Sequence, residues 1–478
     1  MPLLEISAKV SAFYQAAEGI VFGNNFLILT HRHGITFAQY YFFMNLLLRK
    51  TIALTFFSLV FFPQITKAQF LMDMVDTTKD MGKGLLSVYK KYDRIRIGGY
   101  IQPQYQIIET KGIATYNGGD FAPNVDNRFM LRRGRLRFDY VHFSNNTKPS
   151  VQFVFQFDGT ERGVFIRDFW GRVFENNAKL FSFTTGMFAR PFGYEVNLSS
   201  ADRESPERGR MSQILMRTER DLGAMVSFDP RGRTNWMQYV KLDAGFFNGQ
   251  GLTNIRDYDS FKDLITRVSL KSYPISKHLL LSAGASYLNG GLIQNFNHVY
   301  SMHPSGNGKQ FVDDSSAANI GSKLLRKYYG ADAQLKWLHG KNSTTEFRAE
   351  YWWGTQTASA GTSETPPILL VEPYYVRPFN GAFFYLLHSF DTHNQIGIKY
   401  DWYDANTDVR GQEIGIVNGT HPADIRYNTL GMGYIHSFDE NLKLVAWYEF
   451  VKNETTALPG YTSDLQDNIL TLRMQFRF

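Results

Sequence analysis

From residue 94 to the end, the chain holds a period of two that constrains its fold more than any other feature. The last ten residues show the rule. Phe478, Phe476, Met474, Leu472 and Leu470 fall on one side, and Arg477, Gln475, Arg473 and Thr471 on the other. Such alternation makes a strand with one apolar and one polar face. A strand of this kind ending on an aromatic carboxy terminus suits the closing strand of a barrel that faces lipid outside and water inside.

The pattern repeats sixteen times, in strands that run from about 94–109 to 467–478. Seven short connections carry turn formers such as Asn145-Asn146, Asp229-Pro230 and Asp439-Glu440-Asn441. They alternate with eight longer ones near 110–126, 158–164, 190–221, 248–262, 288–327, 354–372, 404–425 and 453–466. Short periplasmic turns alternating with long outer loops build an up-and-down outer-membrane barrel. The expected fold is therefore all-β: a transmembrane antiparallel barrel of about 16 strands, wide enough for an aqueous channel. Composition agrees. Aromatic residues make up 15% of the chain while mean hydropathy is −0.28, which suits a lipid-facing band around a polar bore. Trp352-Trp353, Trp402-Tyr403 and Trp447-Tyr448 lie near strand ends, where interfacial rings are expected.

The stretch before the barrel reads as an export signal. Arg49-Lys50 precedes the apolar run Thr51 to Phe62, and Thr66-Lys67-Ala68 offers a small-residue cleavage site. Residues 44–68 are thus expected to be a signal peptide. It begins at Met44, so residues 1–43 are either a spurious extension from an upstream start or a segment of unread purpose. Residues 69–93 are expected to form a short periplasmic segment, with a helical face of Met74, Met81, Leu85, Val88 and Tyr89. The barrel follows at 94–478. Exclusions come cheaply here. The chain has no cysteine, which removes disulfides, Cys-based metal sites and Cys nucleophiles. The formal charge is +7, of which residues 1–68 carry +3 (Lys9, Arg32, Arg49, Lys50 and Lys67 against Glu5 and Glu18), and no basic run points to nucleic acid. No HExxH, GxSxG or phosphate-loop spacing occurs, and no cofactor or metal is implied.

Several stretches are similar to one family. Ile97 to Gln104, Phe129 to Arg137, Gly186 to Gly193, Arg203-Glu-Ser-Pro-Glu-Arg208 and Thr218 to Gly223 resemble the phosphate-selective porin O and P family, in its Bacteroidetes version. The resemblance spans 94–478 and is densest from 94 to 250. It implies a sixteen-stranded barrel, a homotrimer in the outer-membrane lipid, and a third loop folded into the pore as its constriction.

Two groups of residues are candidates for the solute path. Arg133, Arg135 and Arg137 share one strand face with Asp139, at ~7 Å per step. Charges of this kind on lipid would cost ~2–4 kcal/mol each, so the face is the lumen. They form either a ladder that passes an anion or a wall paired with acids such as Asp168 and the loop carboxylates. The third loop holds Arg203, Arg208, Arg210, Arg217 and Arg220 against Asp202, Glu204, Glu207, Glu219 and Asp221. These arginines either form an anion-selecting constriction or pair with acids to brace the loop. The expected function is passive diffusion of small hydrophilic solutes with a preference for small anions such as phosphate. From other classes, the fifth loop (288–327) allows a surface adhesin or glycan-binding protein on a barrel anchor, and an outer-membrane hydrolase is a further alternative.

Overall fold

The computed structural model describes residues 95–144, 148–252, 257–306, 308–340 and 342–478. The signal peptide, the segment before the barrel and residues 1–43 lie outside the described residues. Nine strands come first: β1 Ile95–Ile108, β2 Asn127–Ser144, β3 Lys148–Thr160, β4 Gly163–Phe174 and β5 Phe181–Ala189, then β6 Arg220–Phe228, β7 Val240–Phe247, β8 Asp263–Ser276 and β9 Leu279–Ile293. A hairpin of β10 Val299–Ser305 and β11 Gly308–Asp314 follows. Seven more complete the chain: β12 Lys323–Leu338, β13 Thr344–Ala358, β14 Tyr374–Ser389, β15 Asn394–Asp404, β16 Tyr427–Ser437, β17 Leu442–Asn453 and β18 Ile469–Arg477.

Setting the β10–β11 hairpin aside, the remaining sixteen strands pair in antiparallel order, and β18 returns to β1 with Ile108 opposite Ile469 and Tyr100 opposite Arg477. Closure gives every strand two partners, so no row of backbone donors is left facing lipid. The terminal Phe478 takes part. Its amide and carbonyl pair with the Gly99 carbonyl and amide at 3.1 and 3.2 Å, and its ring lies where a Cβ on Gly99 would sit at 2.7 Å. The expected sixteen-strand barrel is therefore the observed one.

Alternation decides the faces. Ile101, Leu136, Phe153, Phe155, Phe183, Leu386, Ile398, Met432 and Leu472 are exposed on the outside, while Gln102, Arg133, Gln156, Thr184, Lys399, Asp401 and Thr471 are buried inside. Among the described residues no helix is long and apolar enough to cross a membrane; the crossing is made by strands. Aromatic contacts gather toward both ends of the outer face. Tyr329, Trp353 and Tyr351 stack in series at 5.5 and 5.4 Å near the long-loop end. Trp337 with His339, and His388 with Phe390, lie near the short-turn end at 4.8 and 4.7 Å.

Two expectations need correction. Of the paired aromatics assigned to these belts, Trp352, Tyr403 and Trp447 face inward and are buried. Neighbouring residues in a strand point to opposite faces, so only one of each pair can meet lipid. Trp447 is seated on Gly431 and Gly433, where added Cβ atoms would meet its ring at 2.7 and 2.3 Å. The connection expected at 158–164 is also not a loop: β3 and β4 run to Thr160 and Gly163, leaving a tight turn.

Candidate functional site

The third loop, between Ala189 and Arg220, leaves the wall and crosses the bore. Its two ends are tied together, with the Arg190 amide donating to the Glu219 carbonyl at 3.0 Å. Phe192 then meets the Trp352 ring edge-on at 4.7 Å. Val196 joins Met211, Ile214 and Leu215 of a short helix, α1 (Arg210–Leu215), and Met216. These side chains pack on Phe247, Ile265, Leu288, Tyr328 and Phe379 of the wall, which makes an apolar core inside the barrel. Fully burying one such side chain contributes ~1.5–3 kcal/mol. The loop is thus held in the bore by the same force that folds a soluble domain.

Its polar side is fastened to β1, β2 and β18 and to the short-turn halves of β13 and β14. Ser200 Oγ hydrogen-bonds Tyr100 Oη at 2.6 Å and accepts from Arg135 at 2.7 Å. Arg348 holds Glu204 through two bonds of 2.7 and 3.1 Å, and Ser205 meets Tyr385 at 2.5 Å. Glu207 receives Arg132, Arg133 and Arg473 at 2.8, 2.7 and 3.0 Å. Burial alone would raise the Glu207 carboxyl; Arg132, Arg133 and Arg473 overturn that and hold it well below the usual carboxylate range. The loop acids therefore pair chiefly with arginines of the wall.

Two β-bulges supply two of those arginines. The β1–β2 register jumps between Gln102 and Pro103, so Arg132 is an extra residue and both Arg132 and Arg133 reach Glu207. The β3–β4 register jumps between Gln156 and Phe157, which makes Arg167 extra beside the inward Asp168. Arg167 reaches Glu219 at 3.0 Å and Asp158 at 3.6 Å. Asp158 also accepts from Arg135 at 3.0 Å, and Glu219 lies 3.9 Å from Arg208 and 3.8 Å from Arg220. Around the passage left beside the loop, charges of opposite sign alternate in one belt: Arg135, Asp158, Arg167, Glu219, Arg208.

The candidate residues therefore separate. Arg133 and Arg135 meet the loop through Glu207 and Ser200, while Arg137, nearer the short turns, chelates Asp139 at 2.6 and 2.9 Å. Arg220 pairs with Asp168 at 3.2 Å. Arg208 donates to the carbonyls of Ser212, Met216 and Arg217 within the loop. Arg203 is buried behind it, pushed down to about 10 by burial and by Arg133. Arg217 points to the long-loop side and binds Glu364 at 2.7 Å, and Arg210 lies over the Tyr427 ring at 3.7 Å. Arg132, Arg167, Arg348 and Arg473 were not among the candidates. The doublets Arg132-Arg133 and Arg167-Asp168 carried a signal, because apolar parity changes across each.

The loop separates two chambers. The outer one, on the long-loop side, is a hollow of ≈ 880 Å³. It is lined by Arg132, Arg133, Arg135, Arg208, Arg210 and Arg217 and by Asp120, Asp158, Glu207, Glu219, Glu364 and Asp467, six charges of each sign. The inner one, toward the short turns, consists of hollows of ≈ 410 and ≈ 390 Å³ that share Arg137, Asn197, Leu198 and Arg220. Its lining holds nine cations, Arg96, Arg135, Arg137, Arg167, Arg172, Arg220, Lys241, Arg267 and Arg477, against the side chains of Asp139, Asp168 and Asp243. Acids just outside the lining offset part of this excess, such as Asp332 at 2.6 Å from Arg267. Among the described residues neither Arg96 nor Arg172 has a carboxylate at ion-pair distance; Arg172 binds Thr184 and covers the Trp170 ring. Arg135 lines both chambers and marks their junction. Among the described residues no group of His, Asp and Glu is placed to hold a metal ion.

No protein-family model matches the chain, and no curated protein matches it in sequence. Solved structures do match in shape. OprB of Pseudomonas putida is 10% identical with a TM-score of 0.51, over 84% of this chain and 98% of that one. The outer membrane channel DcaP of Acinetobacter baumannii is 12% identical with a TM-score of 0.48, over 80% and 97%. A mutant of the Rh. blastica porin is 10% identical with a TM-score of 0.41, over 80% and 100%. At such identities it is the fold that is shared. The chain has the fold of an outer-membrane porin, and its apolar outer band places it in a bacterial outer membrane.

Proposed function

We propose that the chain is a passive outer-membrane channel for small hydrophilic solutes, of the phosphate-selective porin O and P type that its sequence resembles, with a preference for anions. It works as a water-filled path and not as an enzyme. The observation that carries the preference is the cation excess of the inner chamber, where among the described residues Arg96 and Arg172 have no carboxylate at ion-pair distance. A low-dielectric cavity lined by one sign of charge concentrates counter-ions. The third loop supplies the constriction, and the belt from Arg135 to Arg208 is its rim. Within that rim the arginines of the loop are partly neutralised, so selection is assigned chiefly to the inner wall. Phosphate suits this lining because a guanidinium presents paired donors to an oxyanion. The homotrimer belongs to the same proposal, and chemical cross-linking in detergent tests it.

Single-channel recording in planar bilayers tests the selectivity. A potassium chloride gradient gives the reversal potential, and phosphate is then titrated as a blocker of chloride current. The reading requires a reversal potential on the anion side. A reversal potential at zero or on the cation side removes it, and an anion-selective channel indifferent to phosphate reduces it to a general anion porin.

A further inference from the structure

The outer chamber holds two opposite charges that the constriction does not use. Asp467, at the end of the last loop, is 3% exposed, and its Oδ1 is buried without accepting any hydrogen bond. Arg210 has been drawn away from the acids of its own loop. Its guanidinium lies between the rings of Tyr427 at 3.7 Å and Tyr116 at 4.8 Å, which hold a cation without cancelling its charge. No ion pair joins Arg210 to Asp467 among the described residues, although both line the same ≈ 880 Å³ hollow. Apolar groups complete the surroundings, with Ile113, Leu465 and the Tyr461 ring on the same lining.

A carboxylate and a ring-held cation that line one hollow with no ion pair between them leave each side chain's recognition capacity open. The chemistry that would fill both defines the ligand. A simple anion would meet Arg210 but be repelled by Asp467; a simple cation would meet the reverse. A neutral polyol would supply hydrogen bonds and leave both charges desolvated. We infer that the outer chamber binds small zwitterions of the amino-acid or short-peptide class, with the ammonium group on Asp467 and the carboxylate on Arg210. The volume exceeds what one amino acid needs and admits a dipeptide. Burial pushes the Asp467 carboxyl up to about 6, with Arg210 the main opposing influence, so it is ionised at neutral pH and available to an ammonium group.

The test uses the full-length channel in planar bilayers at neutral pH, with diglycine added to the long-loop side. Current interruptions are counted against acetate, methylammonium and glucose at equal concentration. Diglycine is expected to block at a concentration about tenfold lower than acetate or methylammonium, the ratio that one added charge-assisted contact supplies. Asp467→Asn, checked for folding by heat-modifiable migration, should remove that advantage. Equal block by diglycine and acetate overturns the inference, as does glucose matching diglycine. The comparison among probes needs only the wild-type channel, so it decides even if the variant fails to fold. Reversal potential is measured separately, which keeps a failure here distinct from a failure of the anion preference.

Discussion

The two chambers are built from the same residue types and differ in how their charges are compensated. In the outer chamber six cations face six anions, and the third loop supplies two of the acids, Glu207 and Glu219, with Glu207 alone engaging Arg132, Arg133 and Arg473. In the inner chamber nine cations face three side-chain carboxylates on the lining. The difference comes from the loop's placement. Its Glu207 gathers three arginines of the wall, whereas of the inner cations only Arg167, Arg220 and Arg477 meet loop carboxylates, those of Glu219 and Asp202. An arginine's presence in a pore therefore says little about selectivity until its counter-charge is located.

The largest expected effect comes from Glu207→Gln. It leaves three guanidiniums without their shared anion, and breaking a buried pair costs ~3–5 kcal/mol. Urea unfolding followed by heat-modifiable migration should show the loss, and single-channel conductance should rise as the loop detaches from β2 and β18. Unchanged stability would mean that the apolar core alone seats the loop.

Next is charge reversal in the inner chamber. Arg96→Glu with Arg172→Glu should lower the chloride-to-potassium permeability ratio about fivefold, equivalent to ~1 kcal/mol in a screened aqueous site. A reversal potential that does not move would place selectivity at the rim. Ionic strength separates the chambers further. The Debye length falls from ~10 Å at 0.1 M to ~3 Å at 1 M, so the proposed anion preference should largely collapse over that range. Persistence of the full preference at 1 M would point to direct coordination at the constriction.

The smallest effect is a proton. Asp467, raised from 3.8 to about 6 by burial, with Arg210 opposing and Asp464 and Glu109 adding, is neutral below that pH and anionic above it. Raising pH from 5 to 7 should therefore shift the reversal potential slightly toward cations, and Asp467→Asn should abolish the shift. A shift that survives in the variant would belong to another group.

Much of the barrel was legible because membrane geometry forces it. The alternation of Leu470, Leu472, Met474 and Phe476 with Thr471, Arg473 and Gln475 appears in the structure as lipid face and lumen face. The bulges were half legible. Phe129 and Leu131 are odd-numbered outward residues whereas Gly134 and Leu136 are even, and this change of parity requires one inserted residue, Arg132. The aromatic pairs misled because a belt was read where alternation permits only one ring of each pair to face out. The partners of the third-loop charges were not legible. The loop's five cations and five anions balance in sequence, yet Glu204 and Glu207 bind arginines of β13, β2 and β18.

The sequence by itself determined the sixteen strands, their faces and the side from which the long loops emerge, since every lipid-facing position must be apolar and every backbone group paired. Tertiary structure alone decided how the third loop is seated and which arginines it neutralises. Those contacts join residues as distant as Glu207 and Arg473, 3.0 Å apart in space, and Coulomb energy depends on separation in space. The charge that an arginine presents to a passing solute is set by that separation, which no local pattern records.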